Sequence, residues 1–399
     1  MLNNSITNKS KFKYKGEDTD FIDLDNKCND ENIKNQLIIK KILPTGFSLN
    51  PEYKCDVSTY NLDTIIGKGG NNDVYSILDV NDKVFRVTNT PVNMNRSKML
   101  NTKGNAEING LYIQFYLSNL CENICKIYEF GTFEKENSIY VYAVLEKLAD
   151  LQEFYANNLR QFQDNIITNN DNFYKKILKD ALIGLSCMHE NNYYHFDIKI
   201  ENIGYTKESN IGKIIDFGSA RYLTDECITH LNFIPSAYFT DPYILKNNEL
   251  CKYNDLYSFA MVLLTIEQDI SKSLNFTDLI NDLILPLKYK DLVSFKNNFW
   301  DYLKHNNNKM DLTLDKIYDT IFKESYEKIK YYMLGPEHDL SKHLKSINDH
   351  YKKQMIKRIS AKNALIKYSK LFNINQKGGK KKSIRKKTKK QKTKKRYYL

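Results

Sequence analysis

The sequence predicts an α+β fold in which a small β-rich part precedes a larger, mostly helical one, with a disordered basic tail behind both. Three observations carry this. Residues 60–88 read as strand, glycine turn and strand, and beyond Ala149 the apolar residues fall on a helical period. Every charged residue from Lys377 to Leu399 is Lys or Arg. At 399 residues the chain can bury a large core, which suits one sizeable enzyme domain with extensions and excludes a peptide hormone or a lone binding motif.

The first 57 residues, rich in Asn, Lys and Asp, read as a weakly ordered extension in which QLIIKKIL forms a short helix or strand. The start has no apolar leader core and no later run approaches a membrane span, so a soluble protein is expected. A first structured unit is expected over residues 58–148. It opens with YNLDTIIGKGGNNDVYSILDV and KVFRVT, where β-branched and apolar residues flank a loop built on Gly67, Gly69 and Gly70. Amides in such a loop can cradle a phosphate, although a G-x-G hairpin alone is more often only a turn. A helical stretch near residues 104–120 carries Glu107, the one acid between Val87 and Cys121. Its place at the helix start lets a carboxylate face Arg86 on the preceding strand, against the simpler reading of a solvated helix charge. ICKIYEFG and SIYVYAVLEK then read as strands.

A second unit is expected over residues 149–373. NFYKKILKDALIGLSCMHENN places Ile177, Leu178, Ala181, Leu182, Leu185 and Met188 close to a 3.6-residue period. It leads into HFDIKIEN, where Asp197, Lys199 and Asn202 are bracketed by Phe196, Ile198, Ile200 and Ile203. The apolar residues anchor the loop while it presents a carboxylate, an ammonium and an amide. A carboxylate can orient a hydroxyl and take its proton, a lysine can neutralise a phosphoryl oxygen, and an asparagine can coordinate Mg²⁺. IIDFGSARY then sets Asp216 at the end of an apolar strand. A carboxylate there is costly without a cation, and a divalent metal on nucleotide phosphates fits the need.

The net charge of +12 lies almost wholly in residues 374–399, which repel themselves and are expected to be disordered. Nuclear import, binding to nucleic acid or another anionic surface, and packing with an acidic partner remain open for this tail. The seven cysteines are scattered, with neither a disulfide framework nor paired metal knuckles. Cys121 and Cys125, the one close pair, read as helix packing rather than a metal site, and an intracellular, reducing compartment is expected.

These motifs, in this order and spacing, resemble the protein kinase family over roughly residues 60–370. Gly67-x-Gly69 with Val74 and Tyr75 resembles its glycine-rich loop, His195 to Asn202 its catalytic loop, and Asp216-Phe217-Gly218 its metal-binding segment. The stretch starting at Asp255 resembles the buried helix that supports the catalytic loop, and Lys357 to Ala361 the arginine-containing segment near the end. The resemblance implies a two-lobed protein-kinase-like fold with a small β-rich N-lobe and a larger helical C-lobe. It implies ATP and Mg²⁺ as cofactors and a protein substrate, with Asp197 as base, Lys199 at the γ-phosphate, and Asn202 and Asp216 on the metal. Glu107 would pair with Arg86, and Glu146 to Leu148 would offer backbone groups to adenine held between Val74 and Val84. A lysine two residues after the catalytic aspartate implies a Ser/Thr acceptor rather than tyrosine.

Departures accompany the matches. Arg86 stands where the family has a phosphate-binding lysine, keeping the charge but not the shape. Lys68 in the glycine loop offers a second cation, or is a plain solvated loop lysine. Phe196 replaces the arginine that receives an activation-segment phosphate, so constitutive competence is expected. Asn72 replaces the third loop glycine. Tyr243 follows Pro242 where a glutamate is usual, so the bridge to Arg358 is expected to be missing or supplied by Glu249. The expected function is an ATP-dependent serine/threonine protein kinase. The alternatives are a pseudokinase or scaffold that binds nucleotide without efficient transfer, and a kinase-like fold that acts on a small molecule or carries the tail. The Asn- and Lys-rich composition with its Gly-Gly-Lys tail also resembles proteins of large DNA viruses. Oligomeric state leaves no mark in the sequence, and residues 268–350 exceed what a minimal C-lobe requires.

Overall fold

The computed structural model describes residues 39–41, 62–69, 72–91, 103–135, 138–163, 170–229, 236–241, 249–305 and 351–372. The basic tail, the glycine-loop tip at Gly70 and most of the N-terminal extension lie outside these residues.

Alternation of apolar side chains builds the first lobe. β1 (Ile39–Lys41), β2 (Leu62–Lys68), β3 (Asn72–Ile77), β4 (Val80–Thr88), β5 (Ile127–Lys135) and β6 (Ser138–Glu146) form one antiparallel sheet in the order β1-β5-β6-β4-β3-β2. QLIIKKIL therefore supplies a strand, docked on β5. Successive β4 residues face opposite ways. Val84 joins Ala143, Leu145 and Ile127 on one face, while Phe85 stacks on Tyr142 on the other with ring centroids 5.3 Å apart. The first face is covered by α1 (Lys103–Ser118), whose Leu111 is buried within it.

The second lobe is helical. α2 (Leu151–Gln163) and α3 (Asp171–Glu190) lead to the HFDIKIEN segment, and the apolar stripe expected on α3 is buried along its whole length. Short strands β7 (Ala149–Asp150), β8 (Tyr193–Tyr194), β9 (Ile203–Tyr205), β10 (Gly212–Ile214) and β11 (Arg221–Tyr222) fix the loops between. β12 (Cys227–Thr229) pairs with β13 (Glu249–Cys251). α4 (Asn254–Asp269) is buried on every side, which its run of Leu, Phe, Ala, Met, Val and Ile allows. α5 (Thr277–Ile284), α6 (Tyr289–His305) and α7 (Ala361–Lys367) complete the described lobe. Among the described residues no helix is long and apolar enough to cross a membrane.

Two sequence expectations are corrected here. The scattered cysteines include two bonded pairs, Cys121 with Cys187 and Cys227 with Cys251. Sequence separations of 66 and 24 residues hid them, because only tertiary packing and strand pairing bring the partners together. The expected gap beside Arg358 is filled by neither absence nor Glu249. Asp241 pairs with Arg358 at 2.6 Å, both side chains fully buried, while Glu249 pairs with Lys352 at 3.1 Å. Tyr351 adds a hydroxyl to Asp241 at 3.1 Å.

Candidate active site

Chain reversals bring the polar residues of the second lobe under the sheet of the first. β4 carries Arg86 onto the same sheet face as Val84, and α1 carries Glu107 against it. Arg86 forms an ion pair with Glu107 and lies 3.7 Å from Asp216, and the side chains of Arg86 and Glu107 are 11% and 13% exposed. Burial opposes the Arg86 charge, but the carboxylates of Glu107 and Asp216 outweigh it and hold its pKa above the ordinary arginine value. Arg86 is thus held in its charged form.

Helix α1 can reach the Asp216 turn because Gly110 has no side chain. A Cβ there would lie 2.5 Å from the carbonyl oxygen of Phe217 and 2.9 Å from the nitrogen of Gly218. Asp216 itself takes a left-handed backbone, φ 60°, and accepts from the Gly218 N–H at 3.4 Å. Its side chain remains 47% exposed.

The polar residues of HFDIKIEN converge on Asp197. Its Oδ2 pairs with the Lys199 ammonium at 2.8 Å and accepts from Asn202 Nδ2 at 3.0 Å. Its Oδ1 accepts from the Ser236 hydroxyl at 2.7 Å, and that same hydroxyl accepts from Lys199 Nζ at 3.1 Å. Sequence reasoning passed over Ser236, which lies six residues before Pro242. Asn202 spends its amide nitrogen on Asp197, also donating to the Asp197 carbonyl at 2.7 Å.

The loop is clasped from below. Both oxygens of Asp255 accept backbone N–H groups, one from His195 and one from Phe196, each at 2.7 Å, and His189 Nε2 adds a third contact at 3.0 Å. Burial would raise the Asp255 pKa, yet the His189 hydrogen bond and the His195 contacts bring it below the ordinary carboxylate value. His195 is fully buried, with Nε2 3.0 Å from the Ile215 carbonyl and Nδ1 accepting from the Asp197 N–H at 3.3 Å. A carbonyl only accepts, so Nε2 carries the proton. Phe196 is held at φ 61° and buried among Tyr194, Leu223 and Leu250. A phenyl ring in that setting cannot receive a phosphate.

An apolar cluster lines the underside of the sheet beside these residues. Val74, Val84, Leu145, Leu148 and Ile215 share one apolar cluster. The Glu146 side chain is engaged by Lys213 at 2.9 Å and by the Lys126 N–H at 3.1 Å, which ties this turn to β10. Gly204 lets Leu148 approach, since an added Cβ would lie 3.1 Å from it. At the other end Gly67 faces Val74, Lys68 faces Asp73, and Gly69 donates to Asn72 at 2.8 Å. Lys68 is exposed and lies on the edge strand rather than beside Arg86. Cys125 is buried beside Glu146, apart from Cys121, and burial pushes its thiol up to about 12.

Comparison with known proteins agrees with this architecture. The family model for the protein kinase domain matches residues 60–369. The chain belongs to the protein kinase family. It is 27% identical over 246 residues to calcium-dependent protein kinase 6 of Plasmodium berghei, covering 61% of this chain and 15% of that protein. It is 22% identical over 209 residues to serine/threonine-protein kinase PLK4 of Aedes aegypti, 52% of this chain and 25% of that one. It is 30% identical over 146 residues to serine/threonine-protein kinase PrkC of Bacillus subtilis, 35% and 20% respectively. The chain thus spans a quarter or less of the length of these relatives. All three come from cellular organisms and lend no support to the viral likeness in composition.

Proposed function

We propose that the chain is an ATP-dependent serine/threonine protein kinase. The observation that carries this reading is the alcohol already seated in the site. Ser236 Oγ donates to Asp197 at 2.7 Å while Lys199 donates to it, so the loop has the geometry to hold a hydroxyl against a carboxylate. A substrate serine or threonine taking that place would hold its hydroxyl oxygen 2.7 Å from the carboxylate oxygen of a base. Lys199 would meet the γ-phosphoryl oxygens and balance their charge in transfer. The placement of Lys199 beside Asp197 and the serine/threonine kinases among the relatives favour that acceptor over tyrosine.

Cofactor fit rests on donor chemistry. Asn202 presents an amide oxygen, and Asp216 presents a carboxylate that is 47% exposed; these are hard oxygen ligands suited to Mg²⁺. Bound there, Mg²⁺ would neutralise and orient the nucleotide phosphates. Arg86, steadied by Glu107, would direct its guanidinium at the phosphates from above. Val74 and Val84, on one face of the sheet, would pack against adenine, with the backbone of Glu146 to Leu148 at its edge and Gly67 and Gly69 admitting the phosphates closely. Use of ATP favours an intracellular setting. A binding partner for the basic tail, nucleic acid or another acidic partner, is a further proposal that rests on charge alone.

Arg86 favours one second reading, a pseudokinase that binds nucleotide without efficient transfer. Transfer of labelled phosphate from ATP and Mg²⁺ to a mixed protein substrate separates the two, run with wild type, Asp197→Asn and Arg86→Ala. Label on serine or threonine that vanishes with Asp197→Asn is the expected result. Nucleotide binding with no label in wild type would select the pseudokinase.

A further inference from the structure

Cys227 and Cys251 stand directly opposite one another on β12 and β13, next to the opposed pair Ile228 and Leu250, and their sulfurs are joined. β12 belongs to the stretch that follows Asp216-Phe217-Gly218, and β13 runs straight into α4. Ile228 and Leu250 pack with Tyr194, Phe196 and Leu223, and Phe196 immediately precedes Asp197. On the other side, the Cys251 N–H donates to Asn254, whose neighbour Asp255 clasps the catalytic loop. The sulfur link therefore ties the segment after Gly218 to the same turn of α4 that holds Asp197 in place. It does so beside Phe196, whose ring packs with Ile228 and Leu250.

We propose that Cys227 and Cys251 are a reversible thiol–disulfide site whose closed form orders the protein-substrate side of the active site. Its consequence for activity rests on the kinase reading; its chemistry does not. The oxidant required is a small-molecule disulfide such as oxidised glutathione. Cys227, the partly exposed partner, attacks it as thiolate, forming a mixed disulfide and releasing one thiol. Cys251, fully buried, then attacks the Cys227 sulfur, forming the cross-strand bond and releasing the second thiol. The pair loses two electrons and two protons, the reagent's sulfur–sulfur bond takes them up as two thiols, and a dithiol reverses the sequence. Disulfides in reducing compartments are characteristically of this transient, sensing kind.

A metal is the rival use of these sulfurs, since Glu249 lies within 4.8 Å of both. Glu249 is already engaged by Lys352, which favours the sulfur–sulfur bond.

The full chain would be equilibrated in glutathione buffers of graded redox poise, trapped by alkylation and mapped by mass spectrometry. Hydrogen exchange of residues 227–229 and transfer to a serine peptide would be measured on the same samples. Expected are a Cys227–Cys251 linked peptide that dithiothreitol removes, and slower exchange in the linked form. A KM for the peptide lower by about five-fold or more is expected with KM for ATP unchanged. Cys227→Ser, at the exposed partner, abolishes these differences, while Cys187→Ser, which opens the other bridge, leaves them. No linked peptide at any poise, retention of zinc by the two thiols, or a link that changes neither exchange nor peptide KM overturns the proposal. If neither form transfers phosphate but the link still slows exchange, the kinase reading fails and the thiol site stands.

Discussion

At the scale of single residues, charge placement decides the chemistry, and Arg86 is the sharpest case. One of its terminal nitrogens, Nη2, meets Glu107 and also lies 3.7 Å from Asp216. Arg86→Lys keeps the charge and is expected to retain activity within about ten-fold, because an ammonium can still reach one carboxylate. Arg86→Ala leaves Glu107 without its cation in a site where it is 13% exposed, and α1 loses its tether. A fall in kcat/KM of about a hundred-fold or more is expected, as for other misplacements of a catalytic frame. Steady-state assays of both variants decide it; equal losses would show that the shape of arginine matters rather than its charge. Asp197, Lys199, Asn202 and Asp216 were legible in the sequence because six or fewer residues, or one apolar strand, set each in its context. Ser236 was not, since its contact with Asp197 spans 39 residues of chain and no local pattern encodes that return.

At the scale of elements, the contact between α1 and the Asp216 turn depends on a missing methyl. In an isolated helix alanine is more favourable than glycine by about 1 kcal/mol, so Gly110→Ala should stabilise the protein if propensity decided. The added Cβ would instead lie 2.5 Å from a backbone oxygen, with two more backbone atoms inside 3 Å, and backbone cannot swing aside as a flexible side chain does. The helix must back away, carrying Glu107 from Arg86. Gly110→Ala is accordingly expected to lower the melting temperature and reduce kcat/KM together, while Gly110→Ala at unchanged melting temperature and activity would refute the close approach. The strands and α3 were legible here because period 2 and period 3.6 were clean. The reason for a glycine inside α1 was not, because it lies in the partner loop and not in the helix.

At the scale of the whole molecule, two buried acids hold the helical lobe together, and pH separates them from the surface charges. Asp241 and Arg358 are both fully buried, and removing one partner strands the other. Asp241→Asn should cost about 3–5 kcal/mol, a drop in melting temperature of about 5–8 °C for a domain spanning residues 60–369. The sequence showed Arg358 and the proline at 242 but pointed to an acid after that proline, whereas the chain supplies it one residue before. Asp255 gives the pH dependence. Its folded pKa lies below the ordinary value of 3.8, so the folded state binds its proton less readily than the unfolded chain. The stability it contributes is complete above the ordinary value and is lost as pH falls through the depressed one. Unfolding free energy measured by denaturant titration should therefore fall steeply below about pH 4 in wild type. Asp255→Asn, which cannot ionise, should start lower at neutral pH and fall less steeply in that window. An identical slope in the two proteins would mean that the acid limb belongs to other carboxylates and that the clasp on His195 and Phe196 does not need the charge.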